Sequence, residues 1–168
     1  MDSFPFVRPT GQPMQPGPRV GPRNSNGQVP LGEAVPWLAR EGRHPGDQGG
    51  YAGSNLVLWG DPQSNRLLAK LVQDLPVSWT AEKLSVGEKT FAADGHMPVM
   101  IYPNPLNPKR YVVLNSSFTY REYAYLNNAR QVPMLPDWAI VDLSTPPGSQ
   151  WPGRIVDANF FDEKWGVK

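Results

Sequence analysis

Asn55-Leu-Val-Leu-Trp-Gly-Asp-Pro-Gln-Ser-Asn65, continuing as Arg66-Leu-Leu-Ala-Lys-Leu-Val-Gln-Asp-Leu75 and stopped by Pro76, is the stretch whose reading sets the fold class. Residues 55–59 form a short apolar run that ends at Gly60. Asp61-Pro62 then supplies a capping acid followed by the ring that fits the first position of a helix. Leu67, Leu68, Leu71, Val72 and Leu75 recur at helical spacing on one face, and Pro76 ends the pattern. The reading is strand, tight turn, helix: the entry half of a βαβ crossover. In an open α/β sheet, ligands sit beyond the carboxyl ends of the strands, which puts Gly60, Asp61, Ser64 and Asn65 at a candidate substrate-binding edge.

Working outward, 168 residues suit one domain with a sizeable core. The formal charge is +1, with lysines and arginines scattered, so no overall field favours nucleic acid or an anionic membrane. The chain has no cysteine, which excludes disulfides, thiolate nucleophiles and thiolate metal sites. No apolar run approaches the roughly 20 residues that a membrane span needs, and Met1-Asp2-Ser3 does not open a signal peptide.

The composition shifts near residue 53. Residues 1–53 hold about half of the glycines and prolines, and neither helical nor strand periodicity persists there, so this part reads as an irregular Gly/Pro-rich segment. Phe4, Phe6 and Val7 are the exception, as a short edge strand anchoring the tail. Residues 54–168 read as an α/β domain. Leu84 to Phe91, with Gly87 in the middle, reads as a small β-hairpin. Pro98 to Tyr102 and Tyr111 to Asn115 are apolar runs too short for helices and are assigned as central strands. The prolines at 103, 105 and 108 forbid a crossover helix between those two runs, which leaves their relative direction open. Thr119-Tyr-Arg-Glu122 is a capping box that starts a helix running to about Arg130. Trp138 to Leu143 reads as a fourth core strand, and Ile155 to Phe161 as an edge strand.

This alternation predicts a compact layered α/β domain with a mostly parallel, Rossmann-like sheet. On that plan one edge collects Asp61, Ser64 and Asn65, then Asn104 and Asn107, then Asn115, Ser116 and Ser117, and finally Asp142. Catalytic candidates there are Ser116, His96 and Asp142. Substrate-binding candidates are Gly60, Asp61, Ser64, Asn65, Asn104, Asn115 and Ser117.

Several strings carry a resemblance. Asn55-Leu-Val-Leu-Trp-Gly-Asp-Pro with Ser64-Asn65, Val99-Met-Ile-Tyr-Pro-Asn-Pro-Leu-Asn-Pro-Lys-Arg-Tyr-Val-Val-Leu-Asn115, Phe118-Thr-Tyr-Arg-Glu-Tyr123 and Phe160-Phe-Asp-Glu-Lys-Trp165 are similar to the C-terminal domain attached to bacterial prolyl-oligopeptidase-like and dienelactone-hydrolase-like serine hydrolases. Phe6-Val-Arg-Pro-Thr-Gly-Gln-Pro13 resembles the opening of that domain. Between about Arg19 and Gly53 the family pattern is a charged helical segment, and this chain has Gly/Pro-rich sequence instead. The resemblance implies association with an extracytoplasmic bacterial hydrolase. It transfers no triad, because the nucleophile elbow belongs to the preceding catalytic domain and no Gly-x-Ser-x-Gly occurs here.

Two functional classes follow. One is an accessory domain whose partner is a hydrolase catalytic domain. The other is a small stand-alone hydrolase of ester or lactone bonds, using a serine or a metal-activated water. With His44 in the tail, a serine mechanism would have to use His96. Calcium is compatible with the oxygen donors at the edge, although the spacing of a calcium loop is missing. No nucleotide cofactor is expected, since Gly60-Asp-Pro lacks the repeated glycines of a phosphate-binding turn. Loss of the segment that normally covers a sheet face would leave apolar surface for a second copy, so a homodimer is expected.

Overall fold

A computed structural model of the chain describes residues 5–7, 9, 11–12, 14, 51–115, 135–145 and 154–168. Its strands are β1 (Phe6–Val7), β2 (Leu56–Trp59), β3 (Val77–Trp79), β4 (Lys83–Val86), β5 (Lys89–Ala92), β6 (His96–Asn104), β7 (Asn107–Asn115), β8 (Trp138–Asp142) and β9 (Arg154–Asn159). Helix α1 (Arg66–Leu71) runs into a single 3-10 turn at Val72–Asp74.

The Rossmann-like α/β expectation is overturned. The described residues are mostly strand, arranged as a mixed six-stranded sheet in the order β1-β2-β7-β6-β8-β9 and an antiparallel three-stranded sheet β3-β4-β5. Only β1, β2 and β7 pair in parallel, while β6 is antiparallel to both of its neighbours and β9 is antiparallel to β8. The cause is local. Asn104-Pro105-Leu106-Asn107 closes β6 onto β7 through two residues, with Asn at the first turn position and Pro at the second, where its fixed φ fits. The Asn104 Oδ1 accepts from the Leu106 N–H at 3.0 Å, and the Asn107 Oδ1 accepts from the Lys109 N–H at 3.1 Å. What reads as a stiff loop between separate strands is a hairpin whose strands absorb Pro98, Pro103 and Pro108. The ladder tolerates them: its register shifts at Pro103/Asn104, and Pro98 falls beyond the last paired position of β7.

Helix α1 is also shorter than its apolar spacing predicts. It starts at Arg66 with Asn65 as its cap, so Asp61-Pro62 belongs to a turn before the helix. The hairpin at Gly87 is present as β4 and β5, and β3 joins it to make the smaller sheet. The predicted helix from Thr119 to Arg130 lies outside the described residues.

Register explains the core. Leu58, Leu114, Met100 and Trp138 form one continuous row across β2, β7, β6 and β8, and all four are buried. Leu56 and Val112 form the next row on the same face. Against this face pack Leu68 and Leu71 of α1, Leu75, and the small sheet's Val77, Trp79, Leu84 and Val86. Trp79 is therefore a core residue. An ion pair between Lys89 and Asp157 at 2.9 Å links the hairpin to edge strand β9. The exposed lysine limits its worth to a fraction of a kcal/mol.

The chain closes with a tight return in which Phe161 bridges Val167. The Asp162 Oδ1 accepts the backbone N–H groups of Lys164 and Gly166. This turn holds Trp165 at φ 65°, a left-handed conformation costing a side-chain-bearing residue about 1–2 kcal/mol. In return the Trp165 ring lies 5.8 Å from Tyr102, 5.9 Å from Tyr111 and 5.9 Å from Phe161, in tilted and edge-on geometries that favour aromatic pairs.

Leu114 stands at the crossing of the buried row and the strand that joins the parallel and antiparallel halves of the sheet. Leu114→Ala should cost about 2–5 kcal/mol in urea denaturation. Glu88→Ala, in the exposed hairpin turn, should stay within about 0.5 kcal/mol of the parent.

Candidate functional site

The directions of the strands decide which candidates can meet. The carboxyl ends of β1, β2, β7 and β8 point to one rim, and β6 and β9 begin there. This upper rim carries Gly60, Asp61, Ser64, Asn65, His96 and Asp142, together with the backbone of Asn115. Asn104 does not belong with them. Because β6 runs against β7, Asn104 ends at the lower rim, five positions or roughly 17 Å of strand below Val99, which pairs with Asn115. The expected convergence of Asp61, Asn104 and Asp142 at one edge is thereby corrected. Ser116 and Ser117 lie outside the described residues.

On the upper rim the loop after β2 is knotted. Gly60 has φ +92°, and a Cβ there would stand 2.6 Å from the Ser64 Oγ and 3.0 Å from Pro9, so both the backbone conformation and the space require glycine. The Asp61 carboxylate accepts three backbone N–H groups: Gln63 and Ser64 on one oxygen at 2.9 Å each, and Met14 on the other at 2.9 Å. The Ser64 Oγ accepts from the Asp61 N–H at 3.0 Å and donates to the Asp61 carbonyl at 3.2 Å. The Asn65 Oδ1 caps α1 by accepting from Leu67 and Leu68, and its Nδ2 donates to the carbonyls of Trp59 at 2.9 Å and Val7 at 3.2 Å. The Gly11 N–H reaches the Ser64 carbonyl at 2.8 Å. Four consecutive needs are met at once: end the strand, turn the chain, start the helix, and hold Val7, Gly11 and Met14 against the domain.

The lower rim is built the same way. The Asn104 Nδ2 donates to the carbonyls of Tyr51 at 3.2 Å and Ser54 at 3.4 Å. The Asn107 Nδ2 donates to Ala52 at 2.7 Å, and the Asn55 Oδ1 accepts from the Tyr111 N–H at 2.9 Å. Sequence reading found Asn104 and Asn107 but assigned them to the wrong rim, and it missed this role for Asn55. The Asn-Pro-Leu-Asn pattern of a two-residue turn was the available signal.

His96 and Asp142 face each other across β6 and β8. The His96 Nδ1, however, is 2.9 Å from the Ala92 carbonyl, to which it donates, and the ring tilts against Phe91 at 5.4 Å. Asp142 takes the Ser144 N–H on Oδ1 at 2.8 Å and Arg154 on Oδ2 at 2.9 Å. The hydrogen bond that joins acid to base in a catalytic triad is replaced here by separate partners for each. Hydrogen bonds from the Ser144 side chain and backbone, with smaller help from the charge of Arg154 and from His96, hold the Asp142 carboxyl below its usual range despite burial. Among the described residues no group of three or more histidine or acidic side chains is placed to hold a metal ion, and no helix is long and apolar enough to cross a membrane.

Two outcomes follow. Asn65→Ala removes a helix cap and two donors to strand carbonyls, and should lower stability by about 1–3 kcal/mol in urea denaturation. For Asp142, a folded pKa below the unfolded value of about 3.9 means that its stabilisation is complete above that pH and is lost as pH falls through the lowered folded value. The urea midpoint should therefore fall less steeply below about pH 4 in Asp142→Asn than in the parent; parallel slopes would contradict this. No protein-family model matches the chain, and neither a curated protein nor a solved structure matches it.

Proposed function

We propose that this protein is a non-catalytic accessory domain that works beside a serine-hydrolase-type catalytic unit. The observation that carries the reading is the use to which the upper rim puts its polar side chains. Asp61, Ser64 and Asn65 spend their oxygens and amide protons on backbone groups of the loop, of α1 and of Val7 and Met14. A carboxylate with both oxygens holding backbone N–H groups, and an asparagine with both ends engaged, are committed to the fold of the loop rather than turned toward a substrate. The choice of partner rests on the strings that resemble the C-terminal domain of bacterial prolyl-oligopeptidase-like and dienelactone-hydrolase-like enzymes.

A competing reading, a stand-alone hydrolase of esters or lactones, draws on the placement of His96 opposite Asp142. One experiment separates the two. The purified chain is assayed on p-nitrophenyl esters and simple lactones with and without chelator, and is co-expressed with a tagged dienelactone-hydrolase-like catalytic domain. The accessory reading expects no turnover above background and co-elution of the two chains. Turnover that disappears in His96→Ala or on chelation, or failure to co-elute, overturns it.

A further inference from the structure

The connection from β5 to β6 is Ala93-Asp94-Gly95, and it contains the single Asp-Gly step of the chain. We propose that Asp94–Gly95 is a modification site, at which the side chain closes on the next peptide to form a succinimide that reopens to isoaspartate. The Gly95 amide nitrogen attacks the Asp94 Cγ, forming a C–N bond. The carboxylic acid loses its hydroxyl, which leaves as water with the amide proton. Water then adds to either imide carbonyl. Opening at the side-chain carbonyl restores aspartate, and opening at the main-chain carbonyl leaves the chain running through the side chain as isoaspartate. No oxidant, reductant or other co-reactant is consumed.

Two requirements single this aspartate out. The carboxyl must be free, and the following amide must be unhindered and available. Asp94 is exposed and has no hydrogen bond or ion pair to its side chain among the described residues. Gly95 has an ordinary φ and open space within 4 Å of where a Cβ would stand. Other described aspartates each fail one test. Asp61 precedes a proline, which has no N–H, and both of its carboxylate oxygens are engaged. Asp74 precedes Leu75, whose N–H is given to the Val72 carbonyl. Asp137, Asp142, Asp157 and Asp162 have their carboxylates engaged, by Phe161, by Ser144 and Arg154, by Lys89, and by Lys164 and Gly166 respectively.

The position has a structural consequence. The Ala93 N–H is fixed to the Glu82 carbonyl at 3.0 Å, and the Gly95 carbonyl accepts from the Leu143 N–H at 2.8 Å. Isoaspartate would insert one extra backbone carbon between these two anchors. The strain would fall on the start of β6, where His96 pairs with Asp142.

The test ages the folded full chain in warm neutral buffer and maps tryptic peptide Thr90–Lys109. Its isomers, equal in mass, are separated by chromatography, and the aged peptide is treated with L-isoaspartyl methyltransferase and labelled methyl donor. The expected result is a growing second peak that accepts methyl groups, with a transient species lighter by one water, and loss of most of that peak in Gly95→Ala. That variant should fold normally, because the added methyl meets open space, and circular dichroism checks this. A single unmethylated peak from the aged protein, under conditions in which the free synthetic peptide isomerises, overturns the proposal. So does an equal yield of isomer in folded Gly95→Ala.

Discussion

The rest of the structure depends on the turn Asn104-Pro105-Leu106-Asn107. A connection of two residues can join only strands that run in opposite directions, so β6 must lie beside β7 and against it. Once that is set, β8 pairs on the far side of β6 and β2 on the far side of β7, and the buried row of Leu58, Leu114, Met100 and Trp138 can form. The asparagines at the ends of the turn do more than bend the chain. Their side-chain amides reach back to the carbonyls of Tyr51, Ala52 and Ser54, so the hairpin also holds the approach to β2.

A common logic runs through both rims. Where strands stop, backbone donors and acceptors are left over, and leaving them buried without partners would cost about 1–3 kcal/mol each. This chain answers with short polar side chains: Asp61, Ser64 and Asn65 above, Asn55, Asn104 and Asn107 below. Buried asparagine and aspartate at strand ends are the material from which active sites are made, and equally the material from which turns and caps are made. Here the hydrogen-bond partners, rather than the residue types, distinguish the two uses.

Much of the strand content was legible because it rests on local pattern. The apolar runs at Leu56, Tyr111 and Trp138 and the Gly87 turn appear where β-branched and aromatic residues cluster. The layering was not legible, because it turns on direction. Leu67, Leu68 and Leu71 mark a helix, and one amphipathic helix after a strand reads as half of a crossover; nothing local says that the next strand pair is a hairpin. The prolines at 103, 105 and 108 ruled out a crossover helix and read as a stiff loop, which left strand direction open. The structure places Pro105 in the two-residue turn and Pro103 and Pro108 beside the register shift of the hairpin. Of the candidate site, the knot at Gly60 to Asn65 was legible as a place and misread as a purpose: Asp61-Pro62 looks like a helix cap, while the cap is Asn65. The aromatic cluster around Trp165 could not be foreseen, because it joins residues from β6, β7 and the chain end through a backbone conformation that tryptophan seldom adopts.

The fold stands or falls on the antiparallel register of β6 and β7, and cross-strand nuclear Overhauser contacts in the labelled protein measure it directly. The predicted result is contacts that pair Tyr102 with Val112 and Met100 with Leu114, so that one index rises as the other falls. Contacts in which both indices rise together would make the two strands parallel, return Asn104 to the rim of Asp61 and Asp142, and contradict the structure described here.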